Sequence, residues 1–288
     1  MVKKRDFQKK DLSGASDFDR FWQRCFEELG GKKDLPAHLK ASYPTEEIFQ
    51  LRDTFIRHLL ARSLDGRAAG CSCLDVGCNA GLYAKLLHDY GMNVCGIDTA
   101  RSLLEEAKET HPFIDFIHAS AYSLPIGDNS VDVVTSFGLI QCLSDWRRVL
   151  DEIVRVLRPG GIALVTTNRV FRFPLVEKVL RNIRWFMKGT ITFRELRGKF
   201  RMPARTSGTQ LSLPSYPPAR HRIEDIVAYL KRLPVERIVV HDPVKIWPVH
   251  EFLWGVAFTK SVEQNLVRSQ PMTIDYCSLC RSPRKWKK

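Results

Sequence analysis

Between residues 71 and 168, short apolar runs alternate with stretches whose apolar residues recur every three or four positions. The short runs predict buried strands and the others predict amphipathic helices, because a helix repeats about every 3.6 residues. The strand-like runs are CSCLDVG, MNVCGID, FIDFIHA, SVDVVTSF and GGIALVTTN; the helical stretches are residues 81–90, TARSLLEEAKETH and SDWRRVLDEIVRVL. This alternation predicts an α/β fold with a mostly parallel sheet and helices on both faces.

Further elements flank this core. Two amphipathic helices are predicted before it, over DFDRFWQRCFEEL and TEEIFQLRDTFIRHLLARSL, and a helix over RIEDIVAYLKRL and strands over VERIVVH and LWGVAFTKS follow it. Shifts in composition divide the chain into a helical cap at 1–45, a core at 46–168, a basic insertion at 169–220, the remainder of the core at 221–262 and a basic tail at 263–288.

The positive charge is concentrated in the insertion. The whole chain carries a formal net charge of +13, and residues 169–220 hold twelve Lys or Arg against two Glu, a local excess of ten. Such a field attracts anions. Three interpretations stay open: a lid helix with solvated arginines, attachment to an anionic membrane through Trp185 and Phe186, and an RNA-tracking patch of interleaved arginines and aromatics.

The cysteines and the N-terminal sequence indicate the cellular compartment of the protein. The chain has eight cysteines, several of them within apolar strand-like runs, so we expect reduced thiols packed as small hydrophobic residues. Cys277 and Cys280 have metal-like spacing, but no second pair completes a zinc site, so a simple thiol pair is favoured and no metal is predicted. No secretory signal or membrane-spanning run is recognised, which predicts a cytoplasmic protein with peripheral membrane attachment as an alternative.

The stretch LDVGCNAG, residues 74–81, predicts a strand that ends in a glycine turn before a helix. Such turns bind nucleotides, and Asp98, at the end of the next strand, lies 21 positions after Gly77, where a carboxylate can bind a ribose diol. A dinucleotide loop needs G-x-G-x-x-G, whereas here Asn79 occupies the middle position and Asp75 repels phosphate. Asn tolerates a left-handed backbone. A nucleoside with an amino acid and a positive sulfur, S-adenosylmethionine, fits better.

Four pieces in order, LDVGCNAG, GID, ASAYSLPIGDNSVDVVTS and LDEIVRVLRPGG leading into ALVTT, resemble the class I, Rossmann-like S-adenosylmethionine-dependent methyltransferases of the ubiquinone and menaquinone group. The resemblance runs from about residue 71 to 168 and resumes weakly over 221–260. It implies a seven-stranded sheet whose last strand is antiparallel, with the N-terminal helices and the insertion over the substrate mouth.

The resemblance also implies roles for individual residues. Asp75, Gly77, Asn79 and Gly81 would line the methionine end of the cofactor, Asp98 would hold the ribose, Ala121 and Tyr122 would flank the adenine, and Phe137 or Gly138 would begin the wall beside the methyl group. Two positions depart from the family pattern. Ser120 stands where many relatives have an acid that contacts the adenine, and Gln141 stands in a stretch where relatives often have His.

The residues identify no catalytic base. His118, His221, His241 and His250 are candidates in principle, but a lone histidine is more often structural, and positioning alone can supply much of the acceleration of methyl transfer. Asp132, Asp145 and Arg158 are interpreted as structural or solvated charges. We therefore predict a methyltransferase that acts on a small or lipid-like acceptor at oxygen, carbon or nitrogen. The alternatives are an RNA methyltransferase and an inactive methyltransferase-like scaffold.

Overall fold

The computed structural model describes residues 16–32, 34–35, 40, 46–64, 66, 68–168, 221–242, 253–262 and 273–278 of the 288-residue chain. Their helices are α1 (Asp17–Gly30), α2 (Glu46–Leu64), α3 (Leu82–Asp89), α4 (Arg101–Thr110), a 3₁₀ helix (Ile140–Cys142), α5 (Trp146–Val156) and α6 (Ile223–Leu230). Their strands are β1 (Ser72–Val76), β2 (Asn93–Asp98), β3 (Asp115–His118), β4 (Val131–Phe137), β5 (Leu157–Asn168), β6 (Val235–Asp242), β7 (Leu253–Lys260) and β8 (Thr273–Ser278).

The strands form one sheet in the order β3-β2-β1-β4-β5-β7-β6-β8. Strands β1 to β5 are parallel, and β7 is antiparallel to both of its neighbours. The predicted fold class is thus confirmed, including the late antiparallel strand. One strand was not anticipated: β8 pairs in parallel with β6, from Arg237 opposite Thr273 to Asp242 opposite Ser278, and extends the sheet within the segment interpreted as a tail.

Two apolar layers cover the two faces of the sheet. Helix α5 buries Trp146, Val149, Leu150, Ile153 and Val154 against one face, the spacing expected of an amphipathic helix. On the opposite face, α2 buries Phe55, Ile56, Leu59 and Leu60. Each fully buried side chain of this size contributes roughly 1.5–3 kcal/mol to stability. These layers fix the sheet and thereby the positions of its strand ends.

Helix α1 is fastened to the start of α4. The Ser102 N–H donates to Glu27 Oε1 at 3.1 Å and the Ser102 hydroxyl donates to the Glu27 carbonyl at 2.8 Å. The residue before α4, Ala100, has no side chain that can cap the helix. Glu27 of α1 therefore accepts from the Ser102 N–H, one of the first N–H groups of α4, which have no partner within the helix. The approach is close: a Cβ on Gly30 would lie 2.7 Å from the Leu103 nitrogen.

The described cysteines agree with the sequence prediction. Cys25, Cys71, Cys73, Cys78, Cys95 and Cys142 are thiols outside any disulfide, and the last four of these are buried. Cys277 lies in β8, whereas Cys280 falls outside the described residues, and within the described part no three His, Cys, Asp or Glu side chains are grouped as a metal site. None of the described helices is both long and apolar enough to cross a membrane. The basic insertion, residues 169–220, lies outside the described residues.

Candidate functional site

The turn after β1 has an unusual backbone. Gly77, Asn79 and Gly81 have φ angles of 80°, 53° and 83°, which glycine adopts freely and asparagine tolerates. The N–H groups of Gly77 and Cys78 donate to the Ile97 carbonyl at 2.7 and 3.1 Å, so the turn is tied to the end of β2. The expectation that Asn79 takes a left-handed conformation is confirmed, and the turn leads directly into α3.

Asp98, at the end of the neighbouring strand β2, is hydrogen-bonded to this turn. Its Oδ2 accepts a hydrogen bond from the Asn79 N–H at 2.9 Å, and its Oδ1 accepts one from the Ala100 N–H at 2.9 Å. A carboxylate offers about four acceptor positions, so these two hydrogen bonds do not exhaust them. The side chain is half-buried at the carboxyl end of β2, and burial raises its pKa. A half-buried carboxylate with spare acceptor positions beside a left-handed turn fits a ribose diol.

Asp75 lies beneath the turn. It is 2% exposed, and its Oδ1 accepts a hydrogen bond of 2.8 Å from the Thr135 hydroxyl on β4. Burial, and to a smaller extent the charge of Asp98, raises the pKa of Asp75 to about 7. The partner of this buried carboxylate is thus a hydroxyl on the neighbouring strand. Contact between Asp75 and the methionine end of the cofactor stays a prediction.

The predicted adenine side lies next to Asp98. The Ala119 N–H donates to the Asp98 carbonyl at 3.0 Å, which places residues 120–122 just beyond the end of β3. Ala121 is buried, and the Ser120 hydroxyl accepts a hydrogen bond of 3.2 Å from the Tyr122 N–H. The structure therefore brings these three residues to the same edge as the glycine turn. Their contact with adenine stays a prediction.

The residues at the end of β4 form another side of the candidate site. Phe137 is buried and meets the Tyr83 ring edge-on, with the ring centroids 5.3 Å apart. Gly138 has a φ of 79°, and its N–H donates to the Thr166 hydroxyl at 2.9 Å. Leu139 packs on Gly77, where a Cβ would lie 3.1 Å from the leucine Cβ. The predicted wall residues thus border the glycine turn.

Helix α1, one of the N-terminal helices expected over the substrate mouth, contacts the predicted cofactor residues. Its Asp19 carboxylate accepts hydrogen bonds from the Tyr122 hydroxyl at 2.8 Å and from the Ser144 N–H at 2.9 Å. The Asn79 side-chain amide also donates to the Lys40 carbonyl at 3.2 Å. The N-terminal region therefore contacts both the predicted adenine side and the glycine turn. No periodic signal in the sequence indicates these long-range contacts.

The candidate bases lie in different environments. His118 is exposed, with Nε2 3.0 Å from the Thr99 carbonyl, and His221 is half-buried, with Nε2 3.3 Å from the Ile140 carbonyl. Burial lowers the pKa of His221 and lowers that of His241 to about 4. His250 falls outside the described residues. His118 lies beside Asp98 in the register of β3 with β2, but the hydrogen bonds given for the His118 and His221 side chains go to the carbonyls of Thr99 and Ile140.

Asp132, Asp145 and Arg158 have structural contacts, as expected from the sequence. Asp132 Oδ2 accepts hydrogen bonds from the N–H and hydroxyl of Ser72, at 2.8 and 2.7 Å, and Oδ1 pairs with Arg158 at 2.7 Å. Asp145 caps α5, because its side chain accepts from the Arg148 N–H at 3.4 Å. None of these groups takes part in the site described above.

Comparison with known proteins identifies the same region. A family described as "Methyltransferase domain" matches residues 74–165. The chain is 38% identical over 144 residues to a probable S-adenosylmethionine-dependent methyltransferase of Mycolicibacterium smegmatis, which covers 49% of this chain and 52% of that protein. It is 34% identical over 143 residues to a demethylmenaquinone methyltransferase of Renibacterium salmoninarum, which covers 48% of this chain and 60% of the relative. The chain thus spans about half the length of the curated relatives it matches.

Solved structures resemble the fold at low sequence identity. Magnesium protoporphyrin IX methyltransferase from Synechocystis PCC 6803 superposes with a TM-score of 0.55 at 12% identity, over 85% of this chain and 100% of that chain. The cyclase SpnF superposes with a TM-score of 0.51 at 18% identity, over 73% of this chain and 82% of that chain. These likenesses concern the fold alone, because one fold supports several activities. The family match and the sequence relatives thus identify residues 74–165 as a stretch that matches a methyltransferase domain, and the structural likenesses agree with its fold.

Proposed function

We propose that this chain is an S-adenosylmethionine-dependent methyltransferase that acts on a small or lipid-like acceptor. The observation that carries the proposal is Asp98, whose carboxylate keeps spare acceptor positions beside the left-handed turn at Gly77, Asn79 and Gly81. When bound, the cofactor supplies a methyl group on a positively charged sulfur. Asp98 would hold the ribose hydroxyls, and the turn would border the methionine end.

The remaining side chains support binding and orientation. Tyr122 is held by Asp19, so its ring has a fixed position beside the predicted adenine side. Gly138 is held by Thr166 and would fix the start of the wall that faces the acceptor. Aligned binding of two reactants can supply about 7–11 kcal/mol of a barrier without a dedicated base. We therefore assign these residues to positioning and assign no base.

The acceptor class rests on the relatives. One is a demethylmenaquinone methyltransferase, and another, from Pectobacterium atrosepticum, is a malonyl-acyl-carrier-protein O-methyltransferase that is 30% identical over 99 residues. It covers 34% of this chain and 39% of that protein. Both names describe small or lipid-like acceptors, which favours this class here. The reduced thiols among the described cysteines favour a reducing compartment such as the cytoplasm.

The charge of residues 169–220 favours a second candidate, methylation of RNA. Twelve basic residues against two acids would neutralise several phosphates, and the release of counterions makes such binding fall steeply with salt. The same charge would suit an anionic membrane surface that presents a lipid-like acceptor. The two acceptor classes differ in salt dependence, which an assay can measure.

The test is transfer of a labelled methyl group from S-adenosylmethionine to three acceptors: demethylmenaquinol, a malonyl thioester and total RNA. We expect label in one of the first two, with a rate that changes little between 50 and 200 mM salt. The Asp98→Ala variant should lose transfer, whereas Asp115→Ala, an exposed carboxylate on the neighbouring strand β3, should retain it. Label in RNA alone would favour the second candidate. No transfer and no cofactor binding would support the scaffold alternative.

A further inference from the structure

Residues that precede the sheet in the chain are hydrogen-bonded to the candidate site at three separate places. One contact reaches the predicted adenine side, one reaches the start of α4 just after Asp98, and one reaches the glycine turn. The hydrogen-bonded pairs, each with the N-terminal partner first, are Asp19–Tyr122, Glu27–Ser102 and Lys40–Asn79. The partners are 103, 75 and 39 positions apart, so these contacts exist only when the N-terminal residues are docked on the core.

The contact at the glycine turn is supported by a buried ion pair. Lys40 is 4% exposed, and its ammonium group donates to both carboxylate oxygens of Glu106 on α4, at 2.7 and 2.8 Å. The Lys40 carbonyl is thereby held where it accepts from the side-chain amide of Asn79, the residue with the left-handed backbone. One N-terminal residue thus connects α4 with the glycine turn.

The contact at Asp19 ends on a side chain that is predicted to flank the cofactor. The Tyr122 hydroxyl donates to Asp19 Oδ1 at 2.8 Å, and its oxygen accepts from the Asp145 N–H at 3.3 Å, with Ser144 Oγ 3.4 Å away. Asp19 is therefore the nearest of these three polar groups and the one that carries a charge, and hydrogen bonds to charged groups are the stronger ones. Burial, and to a smaller extent the Asp19 carboxylate, raises the pKa of Tyr122, so the phenol stays protonated and donates at neutral pH.

Asp19 is itself held in place on both sides. The Ser16 hydroxyl, at the start of the same helix, donates to Oδ2 at 2.7 Å, and the Ser144 N–H across the contact donates to Oδ1 at 2.9 Å. When α1 is docked, the Tyr122 hydroxyl therefore meets a fixed, charged acceptor. A side chain that is already ordered loses less conformational entropy when a ligand binds against it. The docked form thus presents the predicted adenine side in a more ordered state than the undocked form.

We propose that Asp19 is a positioning residue for the cofactor, acting through Tyr122, so that docking of α1 and binding of S-adenosylmethionine favour each other. This inference rests on the proposed methyltransferase function. Such coupling is reciprocal, because a ligand that binds the docked form more tightly stabilises that form by the same factor. Glu27 and Lys40 support the docked form from the other two contacts.

The test is calorimetric titration of S-adenosylhomocysteine into wild type, Asp19→Ala, Tyr122→Phe and the double variant. We expect binding about tenfold weaker in Asp19→Ala, which removes a charged acceptor, and about threefold weaker in Tyr122→Phe, which keeps the ring. The double variant should bind no more weakly than Asp19→Ala, because both changes remove the same hydrogen bond. Asp19→Asn, which keeps an acceptor oxygen, should lose about threefold. The control Asp17→Ala, an exposed carboxylate on the same helix, should bind like wild type.

Hydrogen exchange read by mass spectrometry gives a readout that a purely structural role would not change. Saturating S-adenosylhomocysteine should slow amide exchange in residues 17–30 about tenfold in wild type and less than threefold in Tyr122→Phe. Circular dichroism shows which variants are folded, and Asp19→Asn decides in place of Asp19→Ala where the alanine variant is not.

The outcomes separate the two proposals. Equal binding by wild type and the Asp19 variants, additive losses in the double variant, or no slowing of exchange in α1 would overturn the positioning role alone. Failure of wild type to bind S-adenosylhomocysteine would overturn the proposed function as well.

Discussion

The Asp19 carboxylate and the Ser144 hydroxyl form a 2.6 Å hydrogen bond that joins α1 to the loop before α5. The same carboxylate accepts from the Ser144 N–H, from the Tyr122 hydroxyl and from Ser16 at the helix start. Burial opposes the ionisation of Asp19, but these hydrogen bonds outweigh it and hold its pKa below the ordinary value. One charged group therefore connects the N-terminal helix to two loops at the site.

Replacement of Asp19 by Ala should loosen α1 while the sheet stays folded. The loss of several charge-assisted hydrogen bonds should lower the free energy of local opening by about 2 kcal/mol, which corresponds to roughly 30-fold faster amide exchange in residues 17–30. Hydrogen exchange read by mass spectrometry measures this directly. The control is Asp17→Ala on the same helix, an exposed carboxylate whose salt bridge to Arg20 contributes little. Equal protection in both variants would contradict the assigned role of Asp19.

Asp75→Asn should make the protein less sensitive to pH. The folded pKa of Asp75, about 7, lies above the ordinary value of 3.8, so the folded state holds a proton that the unfolded state has already released. Wild type therefore loses stability as pH rises from about 4 to about 7. The asparagine cannot ionise, and its amide oxygen can still accept from Thr135. Between pH 5 and pH 8 the variant should gain about 2–3 kcal/mol relative to wild type.

Urea unfolding of wild type and Asp75→Asn at pH 5 and pH 8 checks this prediction. The quantity to compare is the difference between the two proteins at each pH, because other titrating groups then cancel. A difference that is the same at both pH values would mean that Asp75 titrates as an ordinary surface carboxylate.

Lys260 should be required for stability, although its strand β7 does not neighbour β2, which carries Asp98. Its ammonium group is buried and donates to the carbonyls of Val154 and Leu157 at 2.7 and 2.8 Å and to Asn129 Oδ1 at 2.7 Å. The two carbonyls lie at the C-terminal end of α5, where carbonyl groups lack partners within the helix. Lys260→Met should cost about 2–4 kcal/mol, since it leaves several acceptors without donors.

Chemical denaturation of Lys260→Met beside Lys231→Met measures this effect. Lys231 is exposed after α6, so its replacement should change the free energy of unfolding by less than about 0.5 kcal/mol. A loss of the same size in both variants would show that the lysine at 260 is not a specific cap for α5.

The periodic part of the chain was predictable, because each strand and helix carries its own pattern. The strand ends followed from the fold class, and Asp98 and the Gly77 turn were located by the rule that nucleotides bind at the carboxyl ends of parallel strands. Asn79 in a left-handed conformation followed from residue chemistry. Short β-type runs flanked by basic residues carry a weaker signal, which explains why β8 was assigned to a tail.

The contacts that complete the site were not predictable. Asp19 and Ser144 are separated by 125 positions, and a pairing at that distance leaves no trace in local periodicity. The partner of Asp75 was missed for the same reason, since Thr135 reaches it only through the register of β1 with β4.

Calorimetric titration of S-adenosylhomocysteine into wild type, Asp98→Ala and Asp115→Ala measures whether Asp98 holds the cofactor. We expect micromolar binding to wild type and Asp115→Ala, and binding at least about tenfold weaker in Asp98→Ala, because hydrogen bonds to the ribose are lost. Circular dichroism establishes that each variant is folded. No binding to wild type, or equal binding to wild type and Asp98→Ala, would contradict the assignment of the cofactor site.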